Sequence, residues 1–414
     1  MRELSLKLEN MCLVGIFFVF VGAPSVWVLV VPKSWEVGIQ ENRRLEVAPG
    51  WQEMLRNPRE AIVRLERFYS DHVGGRSFLV RLHLWVTRQV FPELLSNRVI
   101  VGKNGWLYYA GRGSIEDMQG RIHLEKVRLR QMLGALEVAQ SHLESLGSRL
   151  YLVIAPDKHS IYPENLPEWI GTPKGESRLD QVLAEARQYP SLRLLDLRGV
   201  LRQKKGHKLL YFPADSHWTP LGAWFGYREI IHVLRCDFPL IKGLALEDLA
   251  IQEDSPVELG RDLTVLLGVG DDWPTGKAPY LRPKARLQAS WKVYHVEKDG
   301  QSRLVATWSA GDKELFRQKN LALLDESLIF SSVPEASFPH LLMWRDSFGV
   351  ALLPLLAESF RDAVYVHLSK GIDWKWATRY RSELILIETV EGNLIRTLEE
   401  VERATGNEGW LPGG

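Results

Sequence analysis

Short apolar runs that alternate with helix-like stretches constrain the fold of this 414-residue chain more than any other feature. Leu150-Tyr151-Leu152-Val153-Ile154 has the length and unbroken apolarity of a strand buried on both faces. It follows an amphipathic stretch over residues 124–146 that stops at Gly147, a residue suited to a helix C-terminus. Runs at residues 192–195, 341–344, 363–366 and 384–387 repeat the strand pattern, with helical segments between several of them. Such alternation predicts an α/β fold, a layered parallel sheet with flanking helices. In sheets of this kind active sites lie beyond the carboxyl ends of the strands.

Two segments carry chemistry. Arg345-Asp346-Ser347-Phe348-Gly349 follows the apolar run Leu341-Leu342-Met343-Trp344 and precedes an apolar, helix-like stretch over residues 350–357. Ser347 is therefore expected where a strand turns into a helix, with its hydroxyl above the sheet edge and helix-start N–H groups nearby to receive an oxyanion. Ala214-Asp215-Ser216-His217-Trp218 is expected as an extended loop, in which residues two apart share a side, so Asp215 lies beside His217. Helix propensity then rises from Pro220 through Ile231. A carboxylate, an imidazole and a hydroxyl are the three groups a serine nucleophile requires, Asp215 holding the tautomer and His217 taking the proton. Either fragment alone also occurs by chance as an ordinary turn.

Several blocks in order along the chain resemble the alginate O-acetyltransferase family of AlgJ and AlgX type. They are Phe68-Tyr69-Ser70-Asp71-His72 with Arg76, Val101-Gly102-Lys103-Asn104-Gly105-Trp106-Leu107-Tyr108-Tyr109, Ala155-Pro156-Asp157-Lys158, Asp215-Ser216-His217-Trp218, Arg261-Asp262-Leu263, Asp346-Ser347-Phe348 and Glu388-Thr389-Val390-Glu391-Gly392-Asn393-Leu394. The resemblance implies an SGNH hydrolase-like domain whose catalytic Asp, His and Ser are Asp215, His217 and Ser347. Arg345 stands where the family usually has Gly, which is expected to alter the oxyanion pocket or add a cation to the site. Lys158 is expected to contact a substrate carboxylate or to help shape the pocket. Trp374 and Trp376, two of the chain's 15 Trp, are expected to stack on a sugar ring.

The activity implied is acetyl transfer through an acetyl-Ser347 intermediate to hydroxyls of an exported polysaccharide, with no cofactor. Because acetyl-CoA is cytoplasmic, the resemblance also implies a membrane-bound O-acyltransferase as the partner supplying acetyl. A polysaccharide acetyl esterase of the same fold, or a non-catalytic glycan-binding or scaffold subunit of an export complex, are the alternative readings.

Residues 13–31 contain no charged side chain, a length that spans a bilayer core of roughly 30 Å. Val30-Val31-Pro32-Lys33 follows, without the small-residue cleavage site of a secretory signal. The expected organisation is a membrane anchor over residues 1–32, a membrane-proximal helical segment over 33–100, and a catalytic domain over 101–414 interrupted by an insertion around 250–310. Flanking charges do not set the orientation, and the resemblance implies a single pass through a bacterial inner membrane with the catalytic domain in the periplasm. The chain ends soon after its last core elements, closer to the anchored single-domain AlgJ type than to members with an appended carbohydrate-binding domain.

Composition excludes several classes. A chain that is 45% hydrophobic and 25% charged belongs among globular proteins, and a net charge of +1 predicts no nucleic-acid partner. Its two cysteines, Cys12 in the apolar run and Cys236, cannot bridge across a membrane, and no metal is expected from cysteine ligation or from histidines paired around a Glu.

Overall fold

The computed structural model describes residues 14, 17, 47–72, 98–171, 175–206, 208–252, 261–267, 273, 280–284, 288–296, 302–310, 328–334, 336 and 340–406. Apart from positions 14 and 17, the apolar run expected to span a membrane lies outside them. Among the described residues no helix is long and apolar enough to cross a membrane. The chain divides into two compact units, Met1–Ile100 with Asp262–Pro274, and Val101–Arg261 with Thr275–Gly414. In the first, helices Trp51–Arg56 and Pro58–His72 are joined by an ion pair between Arg64 and Glu53.

The second unit is built on an eight-stranded sheet. Its strands are β1 (Arg149–Ala155), β2 (Leu194–Asp196), β3 (Ser290–Val296), β4 (Ser302–Trp308), β5 (Leu328–Ser332), β6 (His340–Arg345), β7 (Asp362–His367) and β8 (Leu384–Val390). The order is β2-β1-β8-β6-β7-β5-β3-β4. The five strands from β2 to β7 run parallel, with Leu342 opposite Val364 on one side and Ile385 on the other. The remaining three run antiparallel, so the sheet is mixed rather than wholly parallel as expected. Chain length dictates the difference. Only five residues separate β3 from β4, whereas a parallel crossover needs a dozen or more. The stretch expected as an insertion around 250–310 thus contributes β3 and β4 to the main sheet, and its Asp262–Pro274 portion belongs to the first unit.

Burial follows pairing. Every residue of β8 and all but the first of β6 are buried, as continuous apolar runs covered on both faces should be. In β3, Trp291 and Val293 are buried while Ser290, Lys292 and His295 are exposed, the alternation of a strand with one wet face.

Helix α1 (Lys126–Ser145) packs Leu129, Met132, Leu133, Leu136 and Leu143 into the core at the three- and four-residue spacing of one helical face. It ends as expected, with Gly147 at φ 84° in the left-handed region that glycine tolerates best. Helices α2 (Arg178–Ala186) and α3 (Pro220–Asp237) begin with N-caps Ser177 and Thr219, and α3 has Pro220 in its first turn. Helices α4 (Lys375–Tyr380) and α5 (Leu394–Thr405) complete the described elements that matter for the site.

After β6 the structure departs from expectation. Instead of one helix over residues 350–357, a 3-10 turn at Phe348–Ala351 leads into a four-residue helix at Leu353–Leu356. Pro354 has no N–H to donate to the Val350 carbonyl, so one continuous helical ladder over 350–357 cannot form, and a helix can only restart with Pro354 in its first turn.

Candidate active site

Three neighbouring parallel strands, β1, β8 and β6, deliver their carboxyl ends to one place. From β1 come Asp157 and Lys158, from β8 come Glu391 and Asn393, and from β6 come Asp346 and Ser347. The loop before α3 supplies Asp215 and His217.

The Asp215–His217 loop is not extended. Tyr211 and Trp218 form an antiparallel bridge, and the residues between them turn back on themselves. Asp215 Oδ1 accepts the backbone N–H of His217 at 2.8 Å, the Asx turn that Asp readily makes with the residue two ahead. The same oxygen lies 2.7 Å from His217 Nδ1. A carboxylate only accepts, so this contact places the proton on Nδ1 and leaves Nε2 as an acceptor. Nε2 lies 2.8 Å from Ser347 Oγ, across 130 positions of sequence. Asp215 is 7% exposed, while His217 and Ser347 are half-buried, so the carboxylate is shielded from solvent and the Ser347 hydroxyl is reachable.

The nucleophile turn uses the same device. Asp346 Oδ1 accepts the N–H of Phe348 at 2.9 Å, while Oδ2 accepts Val390 N at 2.8 Å and Asn393 Nδ2 at 3.2 Å. Asp346 thereby ties the Ser347 turn to the end of β8. Trp218 Nε1 donates to the Phe348 carbonyl at 3.1 Å, and the His217 and Phe348 rings lie 4.7 Å apart, which joins the two halves directly. Among the described residues no hydrogen bond from the Ser347 N–H to a protein acceptor is found, a geometry compatible with oxyanion binding.

Arg345 does not enter the site. Its side chain is fully buried beneath the turn, donating to the Asp346 carbonyl at 3.1 Å. Below the same turn Glu388, also fully buried, accepts from Asp346 N at 3.3 Å. Burial and then the Asp346 charge push the Glu388 carboxyl well above the usual range, and the Arg345 guanidinium opposes that rise. A β-carbon at Gly349 would sit 2.6 Å from Glu388 Oε2 and 2.7 Å from Arg345 Cβ, so the turn requires glycine there for close approach.

Lys158 is also buried. It is 4% exposed and donates to the carbonyls of Phe212, Pro213 and Asp215. Trp374, 1% exposed, packs edge-on to Trp344 at 5.4 Å in the core. Trp376 lies half-buried against that core, 5.4 Å from Tyr380. The structure therefore brings Asp215, His217 and Ser347 together, and turns Arg345, Lys158 and Trp374 to structural duty. Asp346, Glu388 and Trp218 were not anticipated as supports; an Asx turn is legible in an Asp-Ser pair, but the partners beyond it are not.

Beside the triad lies a second polar cluster. Glu391 Oε2 accepts Asp157 N at 3.1 Å and Ser160 Oγ at 2.6 Å, and its Oε1 lies 3.5 Å from Arg198. Burial, then repulsion from Asp117, pushes Asp157 up to about 7, while burial and Asp157 push Glu391 up to about 7.

Residues 99–304 match the family model of the SGNH hydrolase-like domain of acetyltransferase AlgX. That stretch contains Asp215 and His217 but stops short of Ser347. The probable alginate O-acetylase AlgJ of Pseudomonas aeruginosa is 30% identical over 125 residues, 30% of this chain and 30% of that protein. The probable alginate O-acetylase AlgJ of Pseudomonas fluorescens is 28% identical over 143 residues, 34% of each. The chain thus spans about a third of the length of the curated relatives it matches. Among solved structures, Bacillus cereus PatB1 superposes with a TM-score of 0.53 at 17% identity, over 72% of this chain and 96% of that one. A DHHW family protein from Eubacterium siraeum gives 0.50 at 13% identity, over 74% and 98%. These two likenesses carry the fold, an α/β arrangement around a mixed sheet, and the family model describes the matched stretch as SGNH hydrolase-like. With the family model covering Asp215 and His217, and the AlgJ relatives matching about a third of the sequence, the chain is similar to the AlgJ/AlgX family.

Proposed function

We propose that this protein is an O-acetyltransferase acting on hydroxyls of an exported polysaccharide. The observation that carries the reading is the relay from Asp215 through His217 to Ser347, at 2.7 and 2.8 Å. Ser347 Oγ attacks the carbonyl carbon of an acetyl donor while its proton passes to His217 Nε2. The tetrahedral oxyanion is received by the Ser347 N–H. Its collapse breaks the bond to the donor's leaving group, which takes the proton from His217 and departs, leaving acetyl-Ser347. A sugar hydroxyl then gives its proton to His217 and attacks the acetyl carbon, and the Ser347 oxygen recovers the proton as the ester is released. Asp215 stabilises the imidazolium at both stages without taking the proton itself.

The acceptor we favour is alginate or a related exopolysaccharide, in keeping with the names of the AlgJ relatives. The apolar run over residues 13–31 supports anchoring in a bacterial inner membrane with the catalytic domain in the periplasm. There a membrane-bound O-acyltransferase would supply acetyl.

Acetyl transfer from a chromogenic acetyl ester to candidate oligosaccharides, measured with wild type and Ser347→Ala, tests this reading. Acetylated product from wild type alone supports it. Equal rates reject Ser347 as nucleophile, and acetate release with no acceptor product makes the enzyme an esterase instead.

A further inference from the structure

Lys158 begins a short helix at the carboxyl end of β1, and its ammonium points away from solvent into the turn that carries the acid and base. It donates to the carbonyl oxygens of Phe212 at 3.1 Å, Pro213 at 3.0 Å and Asp215 at 2.7 Å. The rings of Trp106 and Tyr108 cover it at 5.5 and 5.0 Å. The Pro213 carbonyl is shared, since it also accepts Leu107 N at 2.8 Å.

Three carbonyl dipoles that converge on one point repel each other unless a donor stands between them. A primary ammonium has three donors and no acceptor, which matches that need, and burying it is tolerable only when those donors are used. The contact is local to the relay, because Asp215 offers its carbonyl to Lys158 and its carboxylate to His217.

We propose that Lys158 is a positioning residue for the acid–base half of the triad. It holds the 212–215 backbone from inside, so that Asp215 presents His217 Nε2 to Ser347. Its hydrogen bonds to Phe212, Pro213 and Asp215 all go to backbone carbonyls. The inference rests on the reading of Ser347 as the acetyl-carrying nucleophile. A displacement of about 1 Å in such a constellation costs about 100-fold in rate, which sets the size of the effect.

The test compares wild type with Lys158→Met and Lys158→Ala. One readout is kcat and KM for a chromogenic acetyl ester. Another is the rate at which phenylmethylsulfonyl fluoride modifies Ser347. That reaction forms a bond from Oγ to sulfur, expels fluoride and passes the proton to His217, and it requires no acceptor. Both variants are expected to lose about 100-fold in kcat and in sulfonylation rate, with KM within about threefold of wild type. Added ethylammonium is expected to restore Lys158→Ala about tenfold and to leave wild type unchanged, a rescue that a merely structural lysine does not give.

Sulfonylation within about threefold of wild type, a loss confined to KM, or no ethylammonium response in folded Lys158→Ala overturns the proposal. If both variants fail to fold, Lys158→Gln, whose amide keeps two donors, decides in their place. A loss of about tenfold in both rates at unchanged KM supports the proposal, and wild-type rates overturn it. A wild-type protein that is sulfonylated at Ser347 yet acetylates no acceptor sinks the transferase reading, while the Lys158 comparison still reads out. A wild type that is not sulfonylated overturns both.

Discussion

Replacing Asp215 by Asn changes one charge and almost no volume, and the structure sets the size of the result. Asp215 Oδ1 receives two donors, the His217 N–H at 2.8 Å and Nδ1 at 2.7 Å. If the amide oxygen keeps that place, both bonds survive and only the charge is lost. Carboxylate and imidazolium centres about 4 Å apart interact by about 4 kcal/mol at an effective dielectric near 20, so kcat should fall about 1,000-fold. If the amide nitrogen turns inward instead, Nδ1 must accept, the proton moves to Nε2, and the ring can no longer take the Ser347 proton. The wrong tautomer costs about 10,000-fold in a triad of this logic. Asp215→Asn is therefore expected to lower kcat for a chromogenic acetyl ester by about 1,000- to 10,000-fold, with KM changed less than about threefold. Stopped-flow or initial-rate assays at pH 7 read this directly. Activity within about tenfold of wild type would refute a role for the Asp215 charge in the relay.

Gly349→Ala forces a β-carbon to within 2.7 Å of both Glu388 and Arg345 beneath the nucleophile turn. It is expected to cost about 1–3 kcal/mol in urea unfolding and, by shifting Ser347, at least about tenfold in kcat. Asp157 and Glu391 both lie above their ordinary values at about 7, so the folded state holds more protons than the unfolded chain between about pH 4 and 7. Their contribution to stability is complete below about pH 4 and lost as pH rises through about 7; relative to wild type, Asp157→Asn with Glu391→Gln should flatten the fall in unfolding free energy between about pH 5 and 8, by at most about 5 kcal/mol, and with it the fall in Tm. An unchanged pH dependence of Tm would remove the pair from this role. Trp374→Ala is expected to destabilise by about 3–5 kcal/mol because its ring is packed in the core against Trp344, while the folded fraction keeps its KM for a chromogenic acetyl ester.

Much of the fold was legible because strand and helix periodicity is written locally. The expected runs at 341–344, 363–366 and 384–387 lie inside β6, β7 and β8, and the helix expected over residues 124–146 is α1 within two residues at its start and one at its end. The three antiparallel strands were not legible as such, since their flanks carry mixed polar and apolar residues whose pairing is fixed only by neighbours in space. The helix expected after Ser347 was missed for a local reason, Pro354, whose effect competes with a strongly apolar run.

The same division runs through the site. Sequence alone determined which residue types were available; the two Asp-Ser turns are local, because an Asp carboxylate reaches the N–H two residues on, but the reading of residues 214–218 as extended overlooked the first of them. It could not say which way Lys158, Arg345 or Trp374 face, since a long cation or a large ring goes inside or outside according to what else packs there. Tertiary structure decided that Lys158 and Arg345 turn inward onto backbone carbonyls, and that His217 meets Ser347. That meeting depends on β1, β8 and β6 lying side by side, a consequence of burying their apolar faces together over the whole sheet.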